Sequence, residues 1–133
     1  MTGALERDES GTPRARLLPD RHGMVVRLQS EPGGRPALLD ALHRYIDRLT
    51  EEPATEFFCI SLDPDEPEVV WLHEWFQGEE GIAAHRAAPA FGDLMADLNQ
   101  VLSSAPGVMR FVPLRMHLSE GIWQDEPLWD REG

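Results

Sequence analysis

The sequence predicts an α+β domain of βαββαβ order, the split βαβ arrangement of ferredoxin-like folds, with an antiparallel sheet carrying both helices on one face. Short runs rich in β-branched and aromatic residues occur at 24–29, 56–62, 69–76 and 108–118. Apolar stripes of helical period separate the first run from the second and the third from the fourth, and Pro, Gly and Asp clusters punctuate the junctions. A chain of 133 residues fits one such domain, long enough to bury a core without a metal or disulfide to hold it.

Each element has its own local reason. Residues 1–22 mix charges with Gly11, Pro13 and Pro19 and show little apolar periodicity, so a flexible arm is expected there. Strand one is Met24-Val25-Val26-Arg27-Leu28-Gln29, stopped by Glu31-Pro32-Gly33-Gly34. Pro36 suits a first helical turn, where a missing N–H costs nothing. Leu38, Leu42, Tyr45, Ile46 and Leu49 then form one stripe, on a helix expected to end before Pro53. Glu51 and Glu52 close that helix with the wrong sign for its dipole, a cost of roughly a few tenths of a kcal/mol that composition leaves unexplained.

Residues 56–62 and 69–76 read as a hairpin around Asp63-Pro64-Asp65-Glu66-Pro67. Glu79 and Glu80 favour a helix start, Pro89 interrupts the helix, and Phe91, Leu94, Met95, Leu98, Val101 and Leu102 share the next helical face. Pro106-Gly107 ends it before a last strand over 108–118. The folded domain is expected over 23–118, followed at 119–133 by an acidic tail with Trp123 and Trp129.

Composition excludes several functions. With 24 acidic against 12 basic residues, a formal charge of −12 argues against nucleic acid or an anionic membrane as partner. All the basic residues are Arg, which removes Schiff-base lysine chemistry. The single cysteine, Cys59, sits in an apolar run and has no partner for an intramolecular disulfide. The charged start MTGALERDES does not read as a secretory signal, and no run approaches membrane-spanning length, so a cytoplasmic location is expected.

Both parities of the two hairpin strands are apolar: Phe57, Cys59, Val69 and Trp71 on one, Phe58, Ile60, Leu62, Val70 and Leu72 on the other. Helices cover one face only. A homodimer built sheet against sheet is therefore expected.

The opening Val25-Val26-Arg27-Leu28 through Pro32-Gly33-Gly34, then Glu52-Pro53, Glu74-Trp75, and Ala84-His85 through Pro89-Ala90-Phe91 together resemble the antibiotic biosynthesis monooxygenase family. Ala54 stands where that family usually has Gly. The resemblance implies a dimeric α/β barrel whose protomers each hold a pocket between helices and sheet. Its members include cofactor-independent oxygenases of quinols and polyketide anthrones, and haem-degrading enzymes. The haem-degrading pattern needs an Asn on strand one and a Trp and a His on the second helix. Here strand one has no Asn, and alignment on Phe91 puts His85 and Met95 at those two helical positions, so haem degradation is not expected.

Candidate chemistry follows from residue type. Trp71, His73 and Trp75 share one parity of strand three, and large aromatics with polar tips suit a pocket wall, so this set is expected to face the helices. His85, on the helix above, is the sharper candidate, because imidazoles titrate near ~6.5 and can take a proton from a phenol or quinol. His85 and His73 are thus the candidate catalytic residues, with Trp71, Trp75, Arg27, Arg86, Phe91 and Met95 as the substrate-binding set, either arginine serving as anion partner. His22, His43, His117 and Arg115 receive no role. A metal site would require His73, His85 and a carboxylate to converge, and no close-spaced ligand motif supports one. No cofactor is expected, only molecular oxygen as co-substrate. The leading reading is a monooxygenase of an aromatic, phenolic or quinol-type small molecule. The alternatives are a non-catalytic dimeric module, favoured if Trp71, Trp75 and Phe91 fill the pocket, and an isomerase or cyclase of polyketide metabolism that uses the same base without oxygen.

Overall fold

The computed structural model describes residues 6–7, 13–14 and 20–122. The chain divides into two units, one of Pro19–Pro113 and one of Met1–Leu18 with Leu114–Gly133. In the latter, Glu6–Arg7 pairs antiparallel with Pro13–Arg14, and Glu120–Ile122 forms a 3₁₀ turn. Most of the expected arm, and the tail with Trp123 and Trp129, lie outside the described residues.

The larger unit runs β1 (Arg21–Gln29), α1 (Arg35–Ile46), β2 (Thr55–Leu62), β3 (Val69–Gln77), α2 (Gly78–Ala87), α3 (Pro89–Val101) and β4 (Gly107–Phe111). The sheet is antiparallel throughout, in the order β2-β3-β1-β4. This is the ferredoxin-like α+β fold, with β1 and β3 central. The second helical segment is broken at Pro89, where the missing amide prevents continuation of α2. No helix among the described residues is long and apolar enough to cross a membrane.

One core forms where α1, α2 and α3 lie on the sheet. Met24, Val26 and Leu28 of β1 and Val70, Leu72 and Phe76 of β3 meet Leu38 and Leu42 of α1, Ile82 of α2, and Leu94 and Leu98 of α3. The register explains the match, since Val26 lies opposite Leu72 and Leu28 opposite Val70, so apolar side chains of both central strands point to the same side.

Three boundaries depart from the sequence expectation. Strand one begins at Arg21, so Arg21 and His22 belong to the sheet, opposite Gln77 and Phe76, and not to an arm. The last strand stops at Phe111, short of 118, because Pro113 has no amide to offer a ladder. Helix α1 ends at Ile46 and is followed by a 3₁₀ turn over Leu49–Glu51. Periodicity cannot separate the two, because the i, i+3 repeat that carries Leu49 is common to both helix types. Glu51 and Glu52 therefore do not sit on an α-helix dipole. Glu51 pairs with Arg48 at 3.0 Å, and Glu52 turns inward.

Candidate functional site

The tight turn after α1 delivers Glu52 to the interior, where its side chain is 2% exposed. Tyr45 reaches it from the last turn of α1 and donates its hydroxyl hydrogen to Glu52 Oε1 at 2.9 Å. Thr55 donates to the same oxygen at 3.2 Å. From α2, His85 places Nδ1 2.9 Å from Glu52 Oε1 and 3.0 Å from the Tyr45 oxygen. Because the tyrosine hydrogen goes to the carboxylate, Nδ1 must carry a hydrogen of its own. A bare Nδ1 lone pair at that distance from a carboxylate oxygen would be repulsive. Nε2 is then the nitrogen left to accept a proton, the arrangement in which a buried carboxylate fixes the tautomer of a general base.

Packing fixes the ring as firmly as the hydrogen bonds do. The imidazole lies between Phe76 and Phe91, at centroid distances of 4.9 Å and 4.1 Å. Glu74, on central strand β3, stands on the Nε2 side with Oε1 3.8 Å away. Its burial, and secondarily the charge of Glu52, push the Glu74 carboxyl up to about 7. Burial, the hydrogen bond to Glu52 and the charges of Glu52 and Glu74 hold the Tyr45 phenol well above its usual range, so it stays a neutral donor.

Tyr45, His85 and Glu74 open onto a cavity of about 480 Å³ between the sheet and the helices. Its wall is mostly apolar, from Val26, Leu72, Phe58, Leu94, Met95 and Leu98, with His85 and Glu74 at the polar end and Arg86 and Arg110 also on the lining. A concave, largely apolar site with a few convergent polar groups is the usual form of a small-molecule pocket. Among the described residues, no group of three His, Cys, Asp or Glu side chains is arranged to hold a metal ion.

Of the residues singled out in the sequence, His85, Arg86, Phe91 and Met95 come together on this cavity. Trp71, His73, Trp75 and Arg27 do not, and the expectation that the tryptophan set faces the helices is corrected. Val70, Leu72, Glu74 and Phe76 take that face, so His73 and His85 lie on opposite sides of the sheet. Trp71 donates its indole N–H to Asp63 Oδ2 at 2.9 Å, and Trp75 packs on Phe57 with centroids 5.1 Å apart. Arg27 donates to Gln29 Oε1 at 3.0 Å, and its guanidinium carbon lies 6.0 Å from the Trp71 ring centre. A cavity filled by Trp71, Trp75 and Phe91, the condition favouring a non-catalytic module, is not what forms.

The physical reason lies in β1. Its uninterrupted apolar parity is Met24, Val26 and Leu28, whereas the other parity holds Gly23 and Arg27; antiparallel pairing carries that choice to β3. Sequence reasoning left Tyr45, Glu52 and Glu74 out of the site. Tyr45 passed as one more residue of an apolar stripe. Glu74 had a signal, a carboxylate between Leu72 and Phe76 on a parity otherwise suited to burial.

Comparison with known proteins agrees with this fold. Residues 21–97 match the family described as antibiotic biosynthesis monooxygenase. Among solved structures, a Nitrosomonas europaea protein of unknown function is 27% identical, covering 76% of this chain and 96% of its own, with a TM-score of 0.66. A Chloroflexus aurantiacus protein named for the same family is 22% identical, over 73% of this chain and 96% of its own, with a TM-score of 0.65. A Mycobacterium tuberculosis protein is 20% identical, over 72% and 97%, with a TM-score of 0.65. No curated protein matches the chain.

Proposed function

The chain belongs to the antibiotic biosynthesis monooxygenase family, and from that premise we propose that it is a cofactor-independent oxygenase of an aromatic phenol- or quinol-type small molecule, with His85 Nε2 as its base. The observation that carries this reading is an imidazole held by a buried carboxylate at 2.9 Å, at the polar end of an apolar cavity. Removal of a proton from an activated phenol or anthrone leaves a delocalised anion. That anion can pass one electron to O2, recombine with the superoxide formed, and lose water from the resulting peroxide. The balance is one CH2 converted to C=O, with one oxygen atom of O2 in the product and the other in water. The protein must supply the base, a dry cavity and donors for the developing charge.

Arg86 and Arg110 are on the lining but exposed to solvent, so the apolar wall rather than their charge favours an aromatic substrate. A second reading, an isomerase that moves a proton without oxygen, is favoured by Glu74 beside His85, since acid and base then face one cavity.

Oxygen uptake with a panel of anthrones and quinols tests the assignment. The expected result is one O2 consumed per product, falling by about 10²–10⁴-fold in H85A. Uptake unchanged in H85A would remove His85 as the base, and product formation under anaerobic conditions would select the isomerase.

A further inference from the structure

Glu74 is the only carboxylate among the described residues that line the cavity, and the general base does not account for it. It sits in the middle of a central strand, its side chain 7% exposed, and among the described residues it has no hydrogen-bond partner. The separation of 3.8 Å from His85 Nε2 is too long for a good hydrogen bond. It is short enough, however, for one oxygen atom to lie about 2.8 Å from both groups at once. A ligand hydroxyl placed there would give its hydrogen to Nε2 and accept one from Glu74.

We propose that Glu74, as a neutral carboxylic acid, is a second catalytic residue whose O–H donates to the substrate oxygen that His85 deprotonates. The inference rests on the reading of the cavity as the place where a phenol or enol loses its proton. Negative charge develops on that oxygen as the proton leaves, and a donor already aimed at it stabilises the transition state more than the ground state. Ionised Glu74 would do the opposite, since a carboxylate has no hydrogen to give and repels the new charge.

The surroundings support the neutral form. From α1 the group facing Glu74 is Tyr45, which is uncharged. The turn after α1 contributes the charge of Glu52, which disfavours a second anion. From α2 come His85 and Arg86, and from β4 comes Arg110; both arginines are solvent-exposed and so largely screened. The neighbouring strands β1 and β2 present Met24 and Phe58. Burial and the Glu52 charge keep the acid partly protonated to about pH 7.

The test uses 4-nitrophenol, a phenol whose colour reports its own ionisation, with the full chain and its E74Q and E74M variants. Wild type is expected to bind the phenolate, with affinity falling as the pH rises through about 7. In E74Q the amide N–H replaces the acid O–H, so affinity should stay within about threefold and the fall with pH should be shallower than in wild type, the proton that His85 shares with the phenolate being common to both. E74M lacks a donor and should bind the phenolate about tenfold or more weakly. E74Q behaving like E74M, neither variant differing from wild type, or no phenol binding by wild type would each overturn the proposal. Because the readout needs no oxygen, a wild type that binds as expected but consumes no O2 would refute the oxygenase reading and leave Glu74 as the donor.

Discussion

Two carboxylates share one small buried volume with a single imidazole, and that arrangement has a stability consequence at the level of single residues. Glu52 is satisfied at Oε1 by Tyr45, Thr55 and His85, while Oε2 is buried without a partner among the described residues. Glu74 lies in the same field and is raised from an ordinary 4.5 to about 7. A raised carboxyl means that between those values the folded state holds a proton the unfolded state has released. The contribution is fully present below about 4.5 and is lost as the pH rises through about 7. A shift of this size corresponds to stability on the order of 3 kcal/mol. E74Q, which cannot ionise, should therefore gain on wild type as the pH goes from about 5 to about 8, measured by urea unfolding at each pH. Parallel profiles for the two proteins would show that Glu74 ionises freely in the fold. The sequence marked Glu52 as a misfit but assigned its cost to a helix dipole. The actual reason is three-dimensional, a turn that carries the acid to the imidazole of a helix 33 residues later in the chain.

Elements were legible where a repeat extends over many residues and illegible where one residue decides. The stripes of α1 and α3 and the alternation of β3 are long signals. The ends of α1 and β4 depend on a 3₁₀ turn and on Pro113. The face of β3 depends on the register with β1, and no run within β3 itself distinguishes its two apolar parities. The start of α2 is another single-residue decision. Gly78 joins β3 to α2 at φ +70, and a Cβ there would lie 3.3 Å from the Asp20 carbonyl oxygen. A left-handed conformation costs a non-glycine residue about 1–2 kcal/mol. Gly78→Ala should lower stability by about that amount and, by tilting the helix that carries His85, weaken ligand binding in the cavity. Gly92, inside α3, has nothing within 4 Å of a Cβ, so Gly92→Ala should stabilise by about 0.5–1 kcal/mol. Chemical denaturation of the two variants side by side checks both signs, and equal effects would mean that backbone conformation is not what sets Gly78 apart.

At the scale of the larger unit, the sheet is a two-faced layer whose helices cover one side. Within the larger unit no helix packs on the face that carries Val25, Trp71, Trp75 and Phe57. Phe57 is 38% exposed and Met109 63% exposed on that face. A second copy placed sheet against sheet is the expected cover, since a stable interface needs roughly 800 Å² from each partner and a face of four strands can provide it. Electrostatics acts against this association. Each chain carries a formal charge of −12, so two copies repel at long range while their apolar faces attract at contact. Added salt shortens the screening length from roughly 30 Å at 0.01 M to roughly 8 Å at 0.15 M. Dimerisation should accordingly tighten as salt rises over that range, the reverse of an interface held by ion pairs. Light scattering should give twice the chain mass at 0.15 M salt, and Phe57→Asp should return the protein to a monomer with its circular dichroism unchanged. A wild type that stays monomeric at both salt concentrations would rule out the sheet-to-sheet dimer. A dimer that loosens with salt would move the contact to the charged helix surfaces, where Arg44 and Arg48 already pair with Asp97 and Asp93.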